Sequence, residues 1–242
     1  MICQYKKRYT ITTNMLDAND NLRLAGIFDI SQRIAGEHAE IIGCGFNKMI
    51  EQNLIWVVTR HYIEFSRPVK DSDNIDVLTY PLKPRIIEFC RENEFSINDE
   101  VVAHSTSSWM VYNIKTNSID RCSAFENLEF HEQFFKERVK RLPHLKKDAL
   151  EFYKNVEVTY SMIDHNKHMN NTHYFDFFLD AFAPEKPIQI AQIEYLNQAY
   201  LGNIIELFKY KDGEFDELYG FIGENPIFHL RVKYFKEDIT WL

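Results

Sequence analysis

The chain has 242 residues, 45% of them apolar and 14% aromatic, enough for one large domain or two smaller ones with a substantial buried core. A formal net charge of −8 and a pI near 5.6 argue against a general nucleic-acid binder, and the absence of low-complexity stretches argues against disorder. Cys3, Cys44, Cys90 and Cys122 are scattered without C-x-x-C spacing, so free thiols in a reducing compartment are expected rather than a disulfide framework.

The N-terminal MICQYKKRYTITT has no apolar signal region, and no run approaches the ~18–20 apolar residues of a membrane-spanning helix. A cytoplasmic protein with no membrane span is the expectation. YTITTNMLD (9–17) alternates like a strand and leads into Asp17. Ile27, Ile30, Ile34, His38 and Ile41 then form a stripe at helical spacing, closed by Gly43 and Gly45. Four β-rich runs follow, near 55–66, 72–83, 85–98 and 101–115. Residues 123–150 form a connector containing FKERVKRLPHLKK (135–147), read most simply as a solvated basic linker.

A second unit then repeats the first. VEVTYSMID (156–164) answers YTITTNMLD, and YSMIDHNKHMNNTHYF (160–175) answers TNMLDANDNLRLAGIF (13–28). Met15/Met162, Asp17/Asp164, Asn19/Asn166 and Phe28/Phe175 coincide without a gap, but Asn21 stands where the second copy has His168. IEFSRPVKDSDNIDVLTY (63–80) likewise answers IEYLNQAYLGNIIELFKY (193–210). The offset falls from 147 (164 − 17) to 130 (193 − 63), so the second copy is 17 residues shorter between these blocks. Its helix carries Tyr174, Phe178, Ala181 and Phe182, with Asn170 or Asn171 as N-cap and Pro184 stopping it early. Runs near 188–199, 203–212, 216–223 and 227–236 follow, with Asp212-Gly213 marking a hairpin. The expected division is 1–122, a linker over 123–150, and 151–242. Each repeat is an antiparallel sheet curled around an apolar helix, an α+β architecture.

The chemistry concentrates near residue 164. In an extended backbone Asp164, Asn166 and His168 would share one face just ahead of a helix N-terminus. His168 is the best general-base candidate, with Asn166 and Asp164 orienting the imidazole, the substrate or the turn. Donors around Asn170 and Asn171 would polarise a carbonyl as an oxyanion site. An Asx-stabilised turn accounts for Asp17 and Asn19 without any chemistry. His165, His168 and His173 lack a metal spacing, and no G-x-S-x-G elbow or phosphate loop is present, so neither metal nor cofactor is expected.

MIDHNKHMNNTHYFDFFLD (162–180), WVVTRHYIEFSRPVKDSD (56–73) and IEYLNQAYLGN (193–203) resemble the acyl-acyl carrier protein (acyl-ACP) thioesterases of plants and bacteria over nearly the whole chain. The resemblance implies a tandem hot dog fold that hydrolyses fatty acyl-ACP, with the acyl pocket mostly in the first repeat and the chemistry in the second. Asp164, Asn166 and His168 match that family's catalytic trio. Its further Glu and neighbouring Cys fall on Gln198 and Ala199, a departure that removes a thiol nucleophile and favours attack by water, positioned by Gln198. Glu194, four residues earlier on an alternating strand, would face the same side as a fallback carboxylate. Ile27, Ile30, Ile34, Trp56 and Val58 are the candidate acyl-tunnel lining. Lys136, Arg138, Lys140, Arg141, Lys146 and Lys147 are the candidate dock for an acidic carrier protein. Acyl-CoA hydrolysis and a catalytically weak acyl binder are the alternatives, and a homodimer is left open.

Overall fold

The computed structural model describes residues 3–121, 130, 135 and 139–236. Three helices and eleven strands follow in chain order. The first half holds β1 (Tyr5–Thr10), α1 (Leu24–Ile41), α2 (Phe46–Glu51), β2 (Leu54–Phe65), β3 (Asn74–Pro81), β4 (Phe89–Ile97), β5 (Glu100–Asn113) and the short β6 (Ser118–Asp120). The second half holds β7 (Glu151–Glu157), α3 (His173–Phe182), β8 (Ile188–Tyr195), β9 (Ile204–Asp212), β10 (Phe215–Ile222) and β11 (Asn225–Tyr234). All four β-rich runs expected in each copy are strands. The short α2 has no counterpart in the second half and accounts for part of the first half's extra length.

All strands join one antiparallel sheet in the order β1-β3-β4-β5-β2-β8-β11-β10-β9-β7, with β6 beside β5. The order is a palindrome of the repeat, because each half contributes its own five-strand sheet and the halves meet at β2 and β8. At that seam Tyr62 pairs with Gln192, its own counterpart at the offset of 130 (192 − 62). The helices obey the same relation. Phe28 and Phe175, counterparts at the offset of 147 (175 − 28), stack at 4.5 Å with rings 5° from parallel. Both rings are fully buried, so the shared Phe of the two motifs is a packing residue at the junction of the halves.

The core lies between the sheet and the α1/α3 pair, with Ile27, Ile34, Ile63, Ile75, Phe95, Phe178, Ile193 and Leu230 at its centre. Of the α1 stripe, Ile27, Ile30, Ile34 and His38 are buried, while Ile41, at the end of the last turn, is exposed to solvent. The Asp212-Gly213 hairpin forms as expected, with Asp212 opposite Phe215 and Gly213 in the left-handed region at φ +60°.

The connector is not a solvated linker where it is described. Leu142 is buried, and its N–H donates to Glu194 Oε1 at 2.8 Å. The Lys140 carbonyl accepts from Gln192 Nε2 at 2.7 Å, and Leu145 and Leu150 pack on Phe208, Tyr219 and Phe221 of the outer sheet face. Lys136 and Arg138 lie outside the described residues. Among those described, no helix is long and apolar enough to cross a membrane. Among the described residues Cys3, Cys44 and Cys90 form no disulfide, and Cys122 lies outside the description.

Candidate active site

The segment 164–168 is a tight turn, not the extended strand expected from alternation. Asp164 N–H donates to the His168 carbonyl at 3.0 Å, and Asp164 Oδ1 accepts the Asn166 N–H at 2.8 Å. Lys167 closes the turn in the left-handed region at φ +68°, a conformation that costs a non-glycine residue ~1–2 kcal/mol. The turn, rather than strand periodicity, sets where His168 points. Met169 then pairs with Ile163 as an isolated bridge, and its N–H donates to the Ala199 carbonyl at 2.8 Å. That bond brings the segment after β8 alongside the turn.

The first copy builds the same turn. Asp17 N–H donates to the Asn21 carbonyl at 2.8 Å, and Asp17 Oδ1 accepts from Asn19 and Asn21 N–H at 2.8 and 3.0 Å. Asp20 takes the left-handed place of Lys167, at φ +59°. The repetition extends to 66–73 and 196–203. Lys70 N–H bonds Asp73 and Tyr200 N–H bonds Asn203, both at 2.8 Å. Ser72 and Gly202, both at positive φ, donate to Ile11 and Val158.

His168 is half-buried, with Nδ1 3.8 Å from Asp164 Oδ1, too far for a hydrogen bond. Its ring meets Tyr200 edge-on at 6.1 Å, and the Tyr200 hydroxyl donates to Gln198 Oε1 at 2.7 Å. Asn170 is largely committed to structure. Its N–H donates to the Met162 carbonyl, and its Oδ1 accepts both the N–H and hydroxyl of Thr172 at 3.0 Å, a turn ahead of α3 whose N-cap is Thr172 and not the expected Asn170 or Asn171. Asn171 has no hydrogen-bond partner among the described residues, and it lies two residues ahead of α3. Its donors are therefore the ones left for a ligand.

Glu194 does not share the face of Gln198. After β8 ends at Tyr195, the N–H groups of Leu196 and Asn197 both donate to the Ile227 carbonyl, a bulge that breaks the alternation. Glu194 faces the connector instead, holding Leu142 with His144 at 3.7 Å and Arg60 at 4.0 Å.

A cavity of about 640 Å³ opens at this turn and runs into the first half. Asp164, Asn166, His168, Asn170, Asn171 and Gln198 all line it, as do Trp56 and Val58. Ile27, Ile30 and Ile34 do not. They lie on the earlier turns of α1, packed in the core against the sheet, and the cavity is bounded by the last turns of that helix, from Gln32 to Ile42. The remaining apolar wall comes from Phe46 and Met49 of α2, Phe89 and Trp109. Phe46 also meets His165 edge-on at 5.5 Å, tying α2 to the turn of the other half. Sequence reading missed α2, whose six residues are too short for a periodic signal, and Tyr200, which stands two positions from Gln198 as an alternating strand would place it.

Comparison with known proteins matches the acyl-ACP thioesterase N-terminal domain over residues 3–124 and the acyl-ACP thioesterase C-terminal domain over 145–220. The structure superposes on an acyl-ACP thioesterase from Bacteroides thetaiotaomicron at a TM-score of 0.86, with 19% identity, covering 96% of this chain and 98% of that one. It superposes on the 12:0-ACP thioesterase of Umbellularia californica at 0.85, with 14% identity, covering 97% and 98%. The chloroplastic oleoyl-acyl carrier protein thioesterase of Coriandrum sativum is 25% identical over 202 residues, 75% of this chain and 54% of that protein. The chain thus spans little more than half the length of that curated relative, and 62% of oleoyl-acyl carrier protein thioesterase 1 from Arabidopsis thaliana. The α+β architecture is a double hot dog, and the chain belongs to the acyl-ACP thioesterase family.

Proposed function

We propose that the protein hydrolyses fatty acyl-ACP thioesters by direct attack of water, with His168 as general base. The observation that carries this reading is the position of His168. The imidazole sits on the wall of a cavity that continues past Trp56, Val58 and Phe89 of the first half, beside unpartnered Asn171 donors just ahead of α3. With Nδ1 toward Asp164, Nε2 is left to take a proton from water held by the Gln198 amide. The oxygen of that water bonds to the thioester carbon. The negative charge that develops on the carbonyl oxygen is met by Asn171 and the positive end of α3. Collapse breaks the C–S bond, and the imidazolium, steadied by the Asp164 carboxylate, returns its proton to the departing thiolate. Ala199, at the position where the family resemblance places a Cys, has no thiol, and it is fully buried. A covalent acyl-cysteine therefore has no place at that position.

The carrier would meet the connector, where Lys140, Arg141 and Lys146 are exposed, whereas Lys147 is held by Glu206 at 2.5 Å. Purified protein given a ladder of acyl-ACPs and acyl-CoAs tests the reading through release of free fatty acid. Turnover of acyl-ACP, weakening as salt is raised, is the expected result. Efficient turnover of acyl-CoA with none of acyl-ACP would replace the carrier, and no release from either would remove the enzyme.

A further inference from the structure

The cavity that would take the acyl chain is not lined by hydrocarbon alone. Arg91, on β4, reaches up from the sheet to the last turns of α1 and lines the cavity while only 8% exposed. Its Nη1 donates to His38 Nδ1 at 2.9 Å and to Thr79 Oγ1 at 3.1 Å. Both partners are fully buried, so the guanidinium is clamped inside the protein and cannot swing out to water as a surface arginine does. Among the described residues no carboxylate pairs with it, and no acceptor meets its other N–H groups. Burial lowers its pKa to about 10, which leaves it charged at neutral pH.

Two further polar groups line the same cavity without partners. The Tyr195 hydroxyl is buried and unbonded, and burial raises its pKa well above the usual range, so it stays protonated and able to donate. Gln32 Nε2 is also buried and unbonded. An unsubstituted alkyl chain would strip water from the Arg91 N–H groups on the cavity wall and return nothing, and it would leave the Tyr195 and Gln32 donors, which water does not reach, still unbonded. A chain carrying an acceptor oxygen at the right carbon would replace that water with a charge-assisted hydrogen bond.

We propose that the preferred acyl chain bears an oxygen acceptor, a hydroxyl, carbonyl or carboxylate, received by Arg91 inside the first half. The inference rests on the thioesterase reading for the identity of the ligand, but its test does not require turnover. Pantetheine amides, in which N–H replaces the thioester sulfur, would be made with chains of one length and an oxygen moved along them. Calorimetry would then measure binding to the intact protein. For at least one oxygen position, affinity should exceed that of the unsubstituted chain on the order of tenfold. Arg91→Met should erase that difference. An unsubstituted chain bound as tightly as every oxygenated one overturns the proposal in the wild-type protein alone, whether or not the variant folds. A preference that survives in folded Arg91→Met overturns it equally. Hydrolysis of unsubstituted acyl-ACP without any oxygen preference would leave the thioesterase standing and remove only this inference. An oxygen preference without hydrolysis would do the reverse.

Discussion

The turns at 17–21 and 164–168 have one backbone and two surroundings. In both, an Asp carboxylate holds the N–H two residues on, a left-handed residue closes the loop, and the carbonyl of the preceding Met accepts the N–H that leads toward the helix. Three of the shared pairs have a folding role in both copies: Met15 and Met162 pack against the core, Asp17 and Asp164 hold the turn, and Phe28 and Phe175 stack on one another. The chemistry lies in what differs. The first turn is closed against the end of α3, where Asn19 Nδ2 donates to the Pro184 carbonyl at 3.2 Å. The second faces the end of α1, which runs 18 residues against 10 for α3 and is followed by α2. The last turns of the longer helix and the appended α2 line the cavity at the second turn. An imidazole is useful only on the open side, and Gln198 stands near it where the first copy has Pro68.

The largest expected effect is on His168. His168→Ala should lower kcat for acyl-ACP by ~10²–10⁴, the span for a positioned acid or base, with an unchanged melting temperature. A near-wild-type rate would end its role as base. The two aspartates sharpen the comparison next. Asp17→Ala and Asp164→Ala each remove the acceptor that ties their turn, at about 1 kcal/mol, or ~2–4 °C in melting temperature for a chain of this size. The two melting curves should shift alike. Only Asp164→Ala should also slow turnover, by roughly tenfold, because one carboxylate faces an imidazole and the other does not. Equal activity losses in both variants would mean that the aspartates act through folding alone.

Much of this was legible in the sequence because it depends on local pattern. Alternation marked the strands, Asp212-Gly213 the hairpin, and the gapless match of two short motifs the repeat. What escaped depends on long-range packing or on a single irregular residue. The bulge at Leu196 and Asn197 put Glu194 and Gln198 on different faces, although spacing alone put them together. The helical stripe of α1 showed which side is apolar but not where along it the core ends and the cavity begins. Ile27, Ile30 and Ile34 therefore fell on the core side, whereas Trp56 and Val58 line the cavity. The connector looked solvated because its composition is basic. It is held instead by one buried Leu and by backbone bonds to Glu194 and Gln192, more than fifty residues away.

Moving the imidazole between the turns tests the central claim most directly. Fatty acid release from acyl-ACP would be measured for His168→Ala alone and for the same chain also carrying Asn21→His. Because the first turn does not line the cavity at the second and has Pro68 where the other copy has Gln198, the doubly changed protein should stay as inactive as the single variant. Recovery of activity in it would contradict the assignment of the chemistry to the second turn.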